Sequence, residues 1–203
     1  MGEGKIPVVF VRSGVFPSLR RGGALYKYPI SRERRVITEE IAVPPEVKRE
    51  MGLSTLWSFY LADQAIIADL LGWEKWLAGF KPSAEAFAGQ GTKAIIENFK
   101  IPGNDCTTVA KAHHIMVDAI GCEPEIIEMM PEKAVVHEKR CFVTELAPGI
   151  FPKILEVPVE THYCTYCDEA IGKSVNPKIT FRHKRETICS GGKICEHIWE
   201  LKE

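Results

Sequence analysis

Cys164-Thr165-Tyr166-Cys167 and, further on, Cys189-Ser190-Gly191-Gly192-Lys193-Ile194-Cys195 gather four of the chain's seven cysteines into its C-terminal part. Thiolates spaced in this way can bind a metal ion, and the geometry favours it. On a helix, positions 164 and 167 lie about one turn apart and present both sulfurs on one face. In a hairpin turning at Ser190-Gly191-Gly192, Cys189 and Cys195 would stand opposite one another, with Cβ atoms about 4.5–5.5 Å apart. Two prearranged sulfur pairs predict a tetrahedral site for zinc or another divalent transition metal, with metal–sulfur distances near ~2.3 Å. Buried free thiols, or a disulfide or redox CxxC, are the alternatives. Redox chemistry of the thioredoxin kind would need a βαβ unit around Cys164–Cys167, and the surrounding pattern has none.

Other donors lie close by. His162 stands two residues before Cys164, Glu186 three before Cys189 and His197 two after Cys195. His197 shares a strand face with Cys195, about 6.5 Å along at ~3.3 Å per residue, whereas Glu186 points away from Cys189 unless a bulge or turn intervenes. Cys141, with His137 and Glu138, can add a ligand from another strand or pack as core. His113 and His114 are about 100° apart on a helix, so they do not readily face one ligand. His114 and Asp118 are four residues apart, the spacing of an imidazole oriented by a carboxylate, or of an exposed polar pair. Cys106 and Cys122 read as structural, and the aromatic residues between Trp57 and Phe87 as core or as the wall of an apolar pocket.

The chain that must position these groups has 203 residues, 45% hydrophobic and 26% charged, with 26 basic against 27 acidic side chains. That is the balance of an ordinary globular domain. A net charge of -1 gives no general attraction to phosphate backbones or anionic lipid, so no nucleic-acid or membrane partner is expected. No apolar stretch reaches the ~18–20 residues of a membrane helix, the N-terminus lacks an apolar signal core, and an odd number of cysteines suits a reducing compartment. The expected location is the cytoplasm.

Residues 1–50 hold ten basic against six acidic side chains, a local excess of +4, and five prolines. They read as a basic N-terminal arm, either solvated or clasping a neighbouring subunit in a homodimer or higher homo-oligomer. Residues 51–203 read as an α+β metal-binding domain. Apolar residues at three- and four-residue steps predict helices from Leu53 to Leu71, from Ser83 to Phe99, and from an Asp105 cap to Ile120, closed by Gly121. Glu125–Met130 and Lys133–Glu145 predict a hairpin around Pro131-Glu132. Glu160–Gly172 reads as a helix, and Lys178–Cys189 with Lys193–Leu201 as a Cys-containing C-terminal hairpin. The fold class is helices first and an antiparallel sheet later.

The succession Cys141, His162-Tyr163-Cys164-Thr165-Tyr166-Cys167, Asn176-Pro177-Lys178-Ile179-Thr180-Phe181 and Gly191-Gly192-Lys193-Ile194-Cys195-Glu196-His197-Ile198-Trp199 resembles the L-2-amino-thiazoline-4-carboxylic acid hydrolase family, back to about residue 53. The same tail is similar to the 4-vinyl reductase domain, a small-molecule-binding module. Its zinc is held by a helix cysteine, a glutamate and two cysteines around a hairpin. That second resemblance implies Cys164 or Cys167, Glu186, Cys189 and Cys195 as ligands, although the Cys189–Cys195 interval is shorter than the module's. Two functions are therefore expected. One is a metal-dependent hydrolase opening a C–N or C=N bond, other than a peptide bond, in a small cyclic substrate. Glu186, His114 and Asp118 would be its acid–base groups, and the metal ligands would come from Cys164, Cys167, Glu186, Cys189, Cys195 and His197. The other is a non-catalytic sensor or carrier of a small apolar ligand, with structural zinc.

Overall fold

The computed structural model of the chain describes residues 44–184 and 187–202. The chain divides into a unit of residues 1–48 and a unit of residues 49–203. The expected basic arm, and any subunit contact through it, lies outside the described residues apart from 44–50. Glu186 lies outside them too.

The helices follow apolar spacing and local caps. α1 (Pro45–Leu71) starts earlier than the Leu53 expected, with Pro45 in its first turn, where a missing N–H costs nothing. A short α2 (Trp73–Ala78) leads into α3 (Phe80–Phe99), which tolerates Pro82 in its first turn. α4 (Cys106–Ala119) is capped as expected, the Asp105 carboxylate accepting from the Thr108 amide at 3.1 Å. β1 (Pro124–Met129) and β2 (Lys133–Glu138) form the expected first hairpin.

Two expected strands end early. Lys133–Glu145 was expected to be continuous, but β2 stops at Glu138 and Cys141 caps a helix, α5 (Phe142–Ile150). Phe142, Val143, Leu146, Ala147 and Ile150 recur at helical steps, and Phe142, Val143 and Ala147 are buried. Arg140 fixes the bend. It pairs with Glu145 at 2.8 Å and Glu50 at 2.5 Å, and its guanidinium lies 4.0 Å above the Phe142 ring. After α6 (Tyr163–Val175), β3 covers only Ile179–His183, not Lys178–Cys189. Thr187 and Ser190 cap one another in a 3-10 turn, Ile188–Ser190, whose local hydrogen bonds replace a strand ladder. β4 (Cys195–Leu201) closes the fold. Cys189 therefore does not face Cys195 across a hairpin; the residue opposite Cys195 is Glu138.

The sheet is antiparallel in the order β1-β2-β4-β3. Strand pairing sets Val136 and His183 on either side of His197, and Ala134 and Phe181 on either side of Trp199. α4 and α6 cover one sheet face, and α3 packs behind them. Trp199, fully buried, lies against Gly172, where an added Cβ would stand 3.1 Å from the indole, and donates its N–H to the Asp168 carbonyl at 3.0 Å. A second apolar cluster joins α1, α2, the start of α3 and the α5 segment through Leu61, Trp76, Phe80, Val143 and Phe151. No helix of the described residues is long and apolar enough to cross a membrane.

Gly121 follows α4 at φ +87°, and a Cβ there would stand 2.5 Å from the Phe142 ring and 2.9 Å from Leu53. Gly121→Ala combines a left-handed backbone penalty with overpacking and is expected to destabilise by about 2–4 kcal/mol in urea unfolding. A change under ~0.5 kcal/mol would contradict the described junction of α1, α4 and α5.

Candidate metal and ligand site

One small cavity collects four of the chain's seven cysteines and three of its six histidines. Glu138, Cys141, His162, Cys164, His183, Cys189, Cys195 and His197 line it with Val159 and Thr187, and its volume is about 30 Å³. That is room for an ion or a water, not for an organic molecule.

Each donor arrives for a local reason. Cys141 caps α5, and Cys164 opens α6, where His162 accepts from the Cys164 amide through Nδ1 at 3.3 Å. Cys189 sits in the 3-10 turn. Cys195, at the start of β4, accepts from the Ile188 amide through Sγ at 3.3 Å. The Cys141 and Cys189 sulfurs are 4.0 Å apart, near the ~3.8 Å sulfur–sulfur edge implied by ~2.3 Å metal–thiolate bonds in a tetrahedron. Hydrogen bonding from Cys189 lowers the Cys141 thiol, against its burial, and raises Cys189 in turn. Burial pushes the Cys164 thiol well up. All seven cysteines are free.

Beneath the sulfurs lies a network of imidazoles and carboxylates. Asp168, on the α6 face that carries Cys164 one turn earlier, accepts from His197 Nδ1 at 3.0 Å. Its carboxylate also stands 3.2 Å from His113 Nε2 and 3.8 Å from His183 Nε2. Glu138 Oε1 is 3.3 Å from His113 Nε2 and 3.5 Å from His197 Nε2. Burial opposes ionisation of both acids. The charge of His197 and the neighbouring His113 outweigh it, holding Glu138 down to about 2 and Asp168 well below the carboxylate range. Burial likewise opposes protonation of His197, which Glu138 and Asp168 reverse, so its imidazole is held well above its ordinary value. His162 and His183 are pushed down to about 4 by burial, His183 also by the His197 charge. Both are donors ready as neutral imidazoles. His162 Nε2, His183 Nδ1, His197 Nε2 and both nitrogens of His113 are buried without a hydrogen-bond partner among the described residues, a deficit that a bound cation would relieve.

Of the residues singled out in the sequence, Glu138, Cys141, His162, Cys164, Cys189, Cys195 and His197 meet at the cavity. Cys167 packs against the apolar core beside Tyr163, its thiol pushed up by burial to about 12. His114 is half-buried on α4. Asp118 is exposed, its carboxylate 3.6 Å from Arg49. Neither His114 nor Asp118 lines the cavity. His137 pairs with Glu196 at 2.8 Å. Sequence reasoning set His113 aside with His114, passed over Asp168 and His183, and weighed Glu138 only as a neighbour of Cys141. The available signal for His113 was its place among Val109, Ala110, Ala112 and Val117 on the buried face of α4.

Asp168 is the hub of the buried polar groups. Asp168→Ala strands His197 and His113 and is expected to cost about 3–5 kcal/mol in urea unfolding of metal-free protein. Glu169→Ala, which removes an exposed pair with Lys173, should change stability by under ~0.5 kcal/mol. Equal losses at the two positions would contradict the network.

No protein-family profile and no curated protein matches the sequence. Solved structures do match in fold. The phenol-responsive sensory domain of the transcription activator PoxR, bound to phenol, superposes with a TM-score of 0.52 at 12% identity, over 71% of this chain and 73% of that one. Subunit 3 of the trafficking protein particle complex from Naegleria fowleri, covalently bound to palmitic acid, gives 0.53 at 7% identity, over 76% of this chain and 97% of that one. At these identities the likeness is one of fold.

Proposed function

We propose that this chain is a small-molecule-binding domain of the sensory type, organised around a bound divalent transition metal, with zinc the ion best suited to its donors. The observation that carries this reading is convergence. Thiols from the start of α5, the start of α6, the 3-10 turn and the start of β4 line one ion-sized cavity. Four soft donors from four segments suit zinc, and a site saturated by thiolates is structural. The ion would brace the junction between sheet and helices, beside which a small apolar or aromatic ligand is taken. The fold likeness to a phenol-responsive sensory domain supports this choice over catalysis. In this reading Cys164, Cys189 and Cys195 bind the metal and Cys141 joins them. Glu186 is the ligand that the 4-vinyl reductase resemblance implies in the place taken here by Cys141.

Metal-assisted hydrolysis of a C–N or C=N bond in a small cyclic substrate is the second reading. What favours it is that Glu138 and His197 line the same cavity, a carboxylate and an imidazole placed to move a proton. It requires an open coordination position, which a four-ligand site lacks.

Protein purified without added metal, in a reducing buffer, is expected to retain zinc by elemental analysis. Cys164→Ser and Cys189→Ser should each lose it while Cys167→Ser keeps it. Equal zinc in all three variants, or none in the wild type, would contradict the assignment. Acid should release the ion as thiolates take up protons, with free thiols appearing in step.

Phenol and methylphenols, added as a panel, should raise the melting temperature of the zinc-loaded protein and not of the chelated one. A ligand at roughly one hundred times its Kd stabilises by about 2.7 kcal/mol. Turnover of cyclic amidines with no stabilisation by any of the phenols would favour the hydrolytic reading instead.

A further inference from the structure

We propose that His113, Glu138 and His197 form a second metal site, adjoining the sulfur centre but built on its own donors, that takes a first-row divalent transition metal through two imidazole nitrogens and a carboxylate oxygen. The donors come from α4, β2 and β4, and their ligand atoms all lie within 4.8 Å of one another. Among the described residues, the groups of three donors drawn this close are this one and Asp168, His183 and His197. No cysteine belongs to either, so the closest-set donors are nitrogen and oxygen.

The spacing is that of ligands sharing an ion rather than of hydrogen-bonded partners. Glu138 Oε1 is 3.3 Å from His113 Nε2 and 3.5 Å from His197 Nε2. An N–H···O bond sits at about 2.7–3.2 Å with the N–H aimed at the oxygen. Neither imidazole Nε2 makes such a bond among the described residues, although His113 is fully buried and His197 is 3% exposed. Bonds of about 2.0–2.1 Å to a tetrahedral ion place its ligands roughly 3.3–3.4 Å apart.

The surroundings also orient the donors. Asp168 accepts from His197 Nδ1 in a 3.0 Å hydrogen bond, which orients the ring with Nε2 toward Glu138. An ion bound there would displace the proton that the two carboxylates otherwise hold on that nitrogen. The competing group draws on Asp168, the carboxylate that this bond already engages. Glu138 and His197 also line the small cavity, which gives an ion its path inward. Two imidazoles and one carboxylate suit ferrous iron or zinc and leave coordination positions open. The site rests on these three residues and not on the sulfur centre, so the two can fail separately.

The test uses the full chain, stripped by chelator in a reducing buffer and titrated with cobalt(II). Bound cobalt is counted by elemental analysis, and near-ultraviolet charge-transfer bands report cobalt on thiolate. The wild type should bind two cobalt ions per chain. His113→Ala should bind one and keep the thiolate bands, and Cys164→Ser should bind one and lose them. An uptake by His113→Ala equal to that of the wild type would overturn the proposal, as would a wild type that binds only thiolate-ligated cobalt. One cobalt per chain that is lost in His113→Ala, with no thiolate band, would support this site and refute the sulfur centre. Should His113→Ala fail to fold by circular dichroism, X-ray absorption of the loaded wild type decides. Two metals per chain with imidazole scattering beside sulfur support the site, and one metal per chain or a sulfur-only shell overturns it.

Discussion

Two carboxylates, Glu138 and Asp168, are buried where the helices meet the sheet, and an ionised carboxylate is tolerated there only when cations and donors surround it. That requirement shapes the rest. It explains why buried imidazoles from α4 and β4 stand against the acids, and why protonation of His113 and His197 is tied to them: each charge stabilises its opposite in a low-dielectric setting, while His183 beside them is held neutral. Remove one member and the others become uncompensated.

The backbone meets the requirement through register. β4 lies between β2 and β3, so Cys195, His197 and Trp199 line up on one face, with Glu138, Val136 and Ala134 on one side and His183 and Phe181 on the other. α6 lays Cys164, Asp168 and Gly172 over that row at four-residue steps. The missing side chain at Gly172 lets the Trp199 indole reach the Asp168 carbonyl. Apolar packing at one end of the row thus sets the position of polar and sulfur side chains at the other.

Much of this was legible in the sequence. The helices around Trp57, Ala86 and Val109, the Asp105 cap, the first hairpin and the clustering of cysteines followed from periodicity and spacing. Three things did not. Phe142 and Val143 are strong strand formers, yet the Arg140 ion pairs and packing against Trp57 turn them into a helix. Ser190-Gly191-Gly192 reads as a hairpin turn, but Thr187 and Ser190 satisfy each other locally and move Cys189 off the ladder. The polar network was hidden because His113, Glu138, Asp168 and His183 are scattered through the chain and look, one at a time, like surface residues. The register between β2, β3 and β4, with α4 and α6 packed over it, brings them together.

The central claim is that the sulfur donors enclose an ion. Anomalous diffraction from crystals of natively purified protein, recorded on both sides of the zinc absorption edge, tests it most directly. A peak present above the edge and absent below it, inside the cavity bounded by Cys141, Cys164, Cys189 and Cys195, is the result this account predicts. A featureless anomalous map, with those four sulfurs packed against one another or against water, would contradict it.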